Sequence, residues 1–87
     1  MAGALVLINV EMSSEVDVLK AIRKIESVVE AFAVYGAYDI AARVQADTIE
    51  KLDEIITGKI RKIENVKSTL TMMIIDERSL GLEWMRT

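Results

Sequence analysis

The sequence predicts an α+β fold with the element order β-α-β-β-α-β. Two copies of Arg-Lys-Ile-Glu, at residues 23–26 and 61–64, lie 38 residues apart, and each copy follows a predicted helix and leads into a predicted strand. Between the copies lies a turn sequence, residues 34–40, that contains Gly36 and Asp39. Two strand–helix–strand units joined by a hairpin predict a ferredoxin-like fold, in which two helices cover one face of a four-stranded antiparallel sheet.

The first half begins with a nearly continuous apolar run of strand length, residues 5–10. Because a strand with one wet face would alternate apolar and polar residues, we expect both faces of this strand to be covered. Ser13 or Ser14 is the predicted N-cap of a helix that ends near Glu26. Residues 28–35 are rich in β-branched and aromatic residues and predict the second strand. The helix positions predicted to face the core are Val16, Leu19, Ile22 and Ile25.

The second half begins with a strand over residues 40–46, in which Arg43 is expected to face away from Ala42 and Val44. Residues 47–50, Asp-Thr-Ile-Glu, predict a helix start with an acidic residue three positions after the cap. Gly58 indicates either close packing of this helix or a loosened last turn. The fourth strand is predicted over residues 67–75. The second apolar stripe is Ile49, Leu52, Ile56, Ile60 and Ile63.

The apolar content predicts an oligomer. The chain has 87 residues, enough for one domain, yet 52% of them are hydrophobic and the mean hydropathy is +0.28. Alternate residues of the first and last strands must point to the sheet face without helices, and a second copy of the sheet is the simplest cover. We therefore expect at least a symmetric, face-to-face dimer, in which residues 1–76 form the domain. The tail, residues 77–87, is expected to dock loosely or to pack on a neighbouring subunit, because it carries Leu80, Leu82, Trp84 and Met85.

Composition also excludes several classes of function. The chain has no Cys and no His, which removes thiol nucleophiles, imidazole bases, disulfides and most metal sites. A net charge of −3 and a pI of about 4.9 argue against a nucleic-acid surface. No membrane span or secretion signal is evident. We therefore expect a cytoplasmic protein that is not an enzyme and needs no cofactor or metal, and the scarcity of Asn and Gln favours a thermophilic source.

Two short motifs resemble a known family. Gly36-Ala37-Tyr38-Asp39 matches a Gly-x-Tyr-Asp hairpin, and residues 66–71, Val-Lys-Ser-Thr-Leu-Thr, match a Gly-Val-x-x-Thr-x-Thr-like entry to the fourth strand. In this order, within a βαββαβ pattern, they resemble the C-terminal ligand-sensing domain of the Lrp/AsnC transcription regulators, over roughly residues 4–76. Family members usually carry Gly at the position of Asn65 or Ser68, so we expect this loop to differ here.

The resemblance implies a sensor of small molecules that dimerises through its sheets. Dimers in that family associate into octameric or similar rings and bind amino acids between dimers, near the hairpin. Asp39 and the hairpin carbonyls would accept from a ligand ammonium, and hairpin amides and Thr hydroxyls would donate to its carboxylate. With Ala33 on the second strand and no charged selector nearby, a neutral amino acid or none is favoured. Carried over by position, the ligand-binding residues are Gly36, Ala37, Tyr38, Asp39, Thr69 and Thr71.

The resemblance also implies partners. Full-length members carry an N-terminal helix-turn-helix, whereas here the first strand begins near residue 4, so we expect a stand-alone sensing domain that does not bind DNA directly. Such a domain would bind a metabolite, co-assemble with full-length Lrp/AsnC-type regulators, or contact an enzyme. The alternative is an oligomeric adaptor or assembly protein that binds no small molecule.

Overall fold

The structure is a computed structural model that describes residues 1–75. Its strands are β1 (Ala2–Val10), β2 (Val28–Ala33), β3 (Ile40–Ala46) and β4 (Val66–Ile74). The helices are α1 (Glu15–Arg23) and α2 (Ile49–Ile55), and α2 continues as a π-helical turn, Ile56–Ile60. The predicted βαββαβ order and the ferredoxin-like fold are confirmed. The predicted tail, residues 77–87, lies outside the described residues.

The four strands form one antiparallel sheet in the order β2-β3-β1-β4. One face of the sheet and the inner sides of both helices make a single core. Its larger fully buried side chains are Val6, Ile8, Val18, Ile22, Ile40, Val44, Leu52 and Ile60. Arg43 lies on the opposite face from Ala42 and Val44, as predicted. In the single chain one face of β1 is buried, and Leu5 and Leu7 on the other face are half-buried. The cover of that face by a second sheet stays a prediction.

The first apolar stripe was predicted partly wrongly. Val16 is 64% exposed, whereas Val18 and Ile22 are buried on α1. Residues in an α-helix are about 100° apart, so steps of three residues drift by about 60° each time. Val16 therefore lies about 120° around the helix from the buried Ile22. Ser14 does occupy the N-cap position of α1, but its side chain makes no capping hydrogen bond.

The start of α2 was also misplaced by one residue. The N-cap is Thr48, whose Oγ1 accepts a hydrogen bond from Lys51 N at 3.1 Å. The third residue after this cap is Lys51, so the acidic capping-box variant is absent. Ile49, predicted to face the core, is 61% exposed, and Ile55 is buried instead. No atom lies within 4 Å of a Cβ placed on Gly58, so this glycine marks the loosened π-helical turn and not a close packing contact.

The two Arg-Lys-Ile-Glu segments form the same exit turn. After α1, Ile25 N donates to Ile22 O and Val28 N donates to Ile25 O, both at 3.0 Å. After α2, the equivalent bonds join Ile63 N to Ile60 O at 3.2 Å and Val66 N to Ile63 O at 3.3 Å. The repeat in the sequence therefore forms the same pair of backbone hydrogen bonds in both halves.

Candidate functional site: the β2–β3 hairpin and the groove beside β4

The β2–β3 hairpin has a four-residue loop, residues 35–38. Val34 N donates to Asp39 O at 2.9 Å and closes the loop. Gly36 has φ +148°, a conformation that side chains rarely adopt, so the turn requires glycine there. Tyr35 and Ala37 are exposed and Tyr38 is half-buried. The predicted Gly-x-Tyr-Asp motif thus forms a projecting loop.

Asp39 fixes this hairpin to the end of β1. Its backbone N–H donates to Ile8 O at 3.0 Å, and its Oδ2 accepts from Val10 N at 2.9 Å. The amide that donates to Oδ2 belongs to β1, 29 residues away in the chain, and not to the turn itself. One carboxylate oxygen is therefore used to hold the group in place. The result is a fixed negative charge at the base of the hairpin.

Thr69 and Thr71 lie elsewhere. They are opposite Ile8 and Val6 in the sheet, and side chains opposite each other in antiparallel strands share a face, so both threonines lie on the helix-covered side. β1 separates β4 from β3 and its hairpin. A single chain therefore does not bring all six predicted ligand-binding residues together: four are in the hairpin and two are beyond β1.

Both threonines line a groove between α2 and β4 with a volume of about 550 Å³. Its apolar side chains are Ile49, Ile56 and Met73, and charged groups flank them. Sequence reasoning missed this groove, because Ile49 was assigned to the core. The groove-lining residues are Ile49, Glu50, Asp53, Ile56, Thr57 and Arg61 from α2 and its following turn, with Thr69, Thr71 and Met73 from β4.

The sheet face without helices carries a patch of apolar side chains. One row across the sheet is Phe32, Ala41, Leu7 and Leu70, and the next is Glu30, Arg43, Leu5 and Met72. Phe32, Leu70 and Met72 are between 42% and 50% exposed in the single chain. Exposed apolar patches of this kind typically mark an interaction surface.

Within residues 1–75, no group of three His, Cys, Asp or Glu side chains is arranged to hold a metal ion. In the same part of the chain, no helix is long and apolar enough to cross a membrane.

Comparison with known proteins gives consistent matches. A model of the Lrp/AsnC ligand binding domain matches residues 3–81. The regulatory protein AsnC of Haemophilus influenzae is 36% identical over 69 residues, which are 76% of this chain and 46% of AsnC. Homocitrate synthase of Sulfolobus acidocaldarius is 40% identical over 72 residues, which are 79% of this chain and 15% of that enzyme. The chain thus spans less than half the length of either relative.

Among solved structures, the crystal structure of FFRP-DM1 is similar over its whole length. Its TM-score is 0.83 at 37% sequence identity, and the match covers 86% of this chain and 100% of FFRP-DM1.

Proposed function

Because this chain belongs to the Lrp/AsnC ligand-binding domain family, we propose that it is an effector-sensing module that binds a small amino acid or a related metabolite between two of its dimers. The observation that carries this proposal is Asp39. Its carboxylate accepts from Val10 N at 2.9 Å, which holds a negative charge at the base of the projecting loop. A charge fixed before binding loses less entropy when a ligand ammonium pairs with it.

The sheet supports the assembly that this site needs. On the sheet face without helices, the apolar side chains of Leu5, Leu7, Leu70 and Met72 favour a second sheet as their cover, and obligate interfaces are more hydrophobic than the rest of a surface. Since β1 separates the hairpin from Thr69 and Thr71, a site that uses all six residues requires a second chain. Association of dimers into a ring, octameric or of similar order, would supply that chain.

The chemical class of the ligand follows from the hydrogen-bonding groups of the predicted ligand-binding residues. Asp39 and the carbonyls of residues 35–38 accept hydrogen bonds from an ammonium. Backbone amides of the loop and the hydroxyls of Thr69 and Thr71 donate to a carboxylate. Ala37 is exposed in the loop and Ala33 is exposed at the end of β2, so the hairpin offers no charge to select an acidic or basic side chain. A neutral amino acid therefore fits best.

Two variants of Asp39 test the site. Asn at this position can still accept from Val10 N–H but has no charge, so Asp39→Asn is expected to lose amino-acid binding while retaining the fold. Asp39→Ala loses both the charge and the bond, and should also lower stability. Calorimetric titration with each common amino acid, with light scattering to follow assembly, measures the two effects. Asp17→Asn, which removes an exposed carboxylate on α1, is the matched control. Full affinity in Asp39→Asn would refute the site.

Binding would act on a partner by co-assembly. A full-length Lrp/AsnC-type regulator carries the same domain and thus the same sheet face, so mixed dimers would transmit the bound state to transcription. Mixing the two purified proteins, with native mass spectrometry before and after the amino acid is added, tests this step. Mixed assemblies whose proportion changes with ligand are expected. Homo-oligomers alone would contradict the co-assembly.

The match to homocitrate synthase favours a second candidate function, the regulation of an enzyme. A stretch similar to this chain makes up 15% of that enzyme, so the same module can accompany a biosynthetic catalyst. The chain would then regulate an enzyme and not a transcription factor. An activity assay of the Sulfolobus acidocaldarius homocitrate synthase, with and without this chain, distinguishes regulation of an enzyme from regulation of transcription. The remaining alternative, an adaptor without a ligand, predicts that no amino acid raises the melting temperature.

A further inference from the structure

The β2–β3 loop presents the most exposed aromatic side chain of residues 1–75. Tyr35, the first residue of this loop, is fully exposed at 106%. The hydrogen bond from Val34 N to Asp39 O closes the loop behind it. A tyrosine on a rigid loop loses little conformational entropy when it is buried, and tyrosines are frequent among the residues that contribute most to binding between proteins. Tyr35 is therefore suited to anchor a contact with a second molecule.

The groove between α2 and β4 is complementary to such a side chain. Its volume is about 550 Å³, within the range of roughly 300–1,000 Å³ that is usual for ligand pockets. Ile49, Ile56 and Met73 give it an apolar lining, against which an aromatic ring can pack. Asp53 lines the same groove, and its carboxylate can accept a hydrogen bond from a tyrosine hydroxyl. The groove thus has space for the ring of a tyrosine and for a small ligand beside it.

Arg61 adds hydrogen-bond donors to the groove. Its counterpart in the sequence repeat, Arg23, donates through Nε and Nη2 to Ala31 O, at 3.2 and 2.8 Å. Arg61 lines the groove, and within residues 1–75 its guanidinium makes no hydrogen bond or ion pair. A backbone carbonyl is the acceptor that the equivalent arginine uses, and the exposed loop of residues 35–38 offers carbonyl oxygens. The donors and the apolar lining of the groove therefore match the loop as an occupant.

We propose that the β2–β3 loop of one chain docks into the α2–β4 groove of a chain in a neighbouring dimer, with Tyr35 packed between the apolar groove walls. This hairpin–groove contact rests on the proposed function, because it specifies the second chain that the amino-acid site requires. Thr69 and Thr71 line the groove, so the contact places residues 36–39 of one chain next to both threonines of the other. All six predicted ligand-binding residues then surround one site.

The symmetry of the contact accounts for a ring of dimers. The loop of a chain does not fill its own groove, because residues 35–38 are not among those that line it. Loop and groove are different surfaces of the chain, so their contact is heterologous, whereas the contact between two sheet faces is isologous and closes with two chains. Heterologous contacts generate a ring where the rotation closes. The sheet face therefore makes the dimer, and the hairpin–groove contact joins dimers.

Two variants test the contact through assembly without any amino acid. Tyr35→Ala removes the anchor, and Ile49→Lys places a charge in the groove lining. We expect both variants to remain dimers, with the dissociation constant between dimers raised at least about tenfold. Val16→Lys on α1 is the control and should keep the ring, since Val16 and Ile49 are 64% and 61% exposed. Native mass spectrometry measures the assemblies. Rings retained by both variants, or an unmodified chain that stays a dimer, would overturn the contact.

A cross-link between two differently tagged chains tests which surfaces meet. The sequence contains no cysteine, so Ala37→Cys in one chain and Thr57→Cys in the other introduce the only thiols. We expect a short bismaleimide to join the two chains, because Ala37 lies in the loop and Thr57 lines the groove. In the control pair Val16→Cys replaces Thr57→Cys and should give little product. Equal yields for both pairs, or a stronger cross-link of Ala37→Cys with itself, would overturn the contact.

Failure of this contact and failure of the sensor give different results, because neither measurement contains an amino acid. A cross-link from loop to groove in a protein that binds no amino acid would support the contact and refute the sensor. Amino-acid binding that Asp39→Asn abolishes, together with equal cross-linking yields for both pairs, would support the sensor and overturn the contact.

Discussion

In the first half of the chain α1 lies against the edge strand β2, whereas in the second half α2 lies mainly over β1 and β3 and leaves a groove beside the edge strand β4. The two halves nevertheless share the Arg-Lys-Ile-Glu segment and the same exit turn. Arg23 donates two hydrogen bonds to Ala31 O on β2, while Arg61 lines the groove beside β4. A repeat in sequence therefore sets the local backbone, but the packing of each helix decides where a surface remains for binding.

The largest effects should come from the core that the halves share. Ile22 and Ile60 occupy equivalent positions of the repeat and are fully buried. Ile22→Ala and Ile60→Ala are each expected to lower the free energy of unfolding by about 2–5 kcal/mol, since each leaves a cavity. We expect the larger loss for Ile22→Ala, because α2 borders a groove and can move to fill part of its cavity.

Chemical denaturation followed by circular dichroism measures these two losses. Ile49→Ala is the control, and its exposed side chain predicts a change within about 0.5 kcal/mol. A loss below about 1 kcal/mol for either core variant would contradict the single shared core.

The next largest difference in stability between the halves is expected at the equivalent residues Arg23 and Arg61. Arg23→Met keeps an apolar stem but loses both donors to Ala31 O, so we expect a loss of about 1 kcal/mol. Arg61→Met is the matched variant, and its change is expected to stay within about 0.5 kcal/mol. Urea denaturation of both variants makes the comparison. Equal losses would mean that the two edges are held in the same way.

Gly58→Ala tests the loosened end of α2. A Cβ at this position meets no atom within 4 Å and the backbone there does not require glycine, so alanine should fit. Because alanine restricts the unfolded chain more than glycine does, we expect stability to rise by about 0.4–1 kcal/mol. Thermal denaturation measures the change, with Lys59→Ala as a neighbouring control that should be nearly neutral. A loss of stability would show that the π-helical turn needs glycine.

The smallest expected effect concerns Ser27 and Asn65, which directly precede β2 and β4. Asn65 has φ +74°, whereas the equivalent Ser27 is not in a left-handed conformation. Glycine adopts that conformation without strain, so Asn65→Gly should raise stability by about 0.5 kcal/mol, and Ser27→Gly should lower it by a similar amount. Differential scanning calorimetry of both variants measures the pair. The same sign for both would contradict the difference in backbone.

Much of the fold could be predicted from the sequence because the repeat, the turn at Gly36 and the apolar strands are local signals. The predicted and observed bounds of β3 are the same, residues 40–46. Asn65, at a position where the family often carries glycine, has a left-handed backbone. The errors arose where the spacing of apolar residues was compatible with more than one buried side of a helix. Spacing of three residues placed Val16 in the core, and the position of α2 relative to β4 left Ile49 outside it.

The candidate site was less predictable for the same reason. The Gly-x-Tyr-Asp motif predicts the loop. The hydrogen bond from Val10 N to Asp39 Oδ2 joins residues 29 positions apart, so no short sequence motif predicts it. The groove depends on where a whole helix lies over the sheet. Whether hairpin and threonines form one site depends on a second chain, and for that reason the six ligand-binding residues stay a prediction.

Native mass spectrometry of this chain, alone and with a mixture of the common amino acids, tests the central claim most directly. An effector sensor that binds between dimers predicts an assembly with an even number of chains, larger than a dimer, and a bound amino acid on each chain. A dimer that gains no mass from any amino acid would contradict the sensor, and a monomer would contradict the assembly through the open sheet face as well.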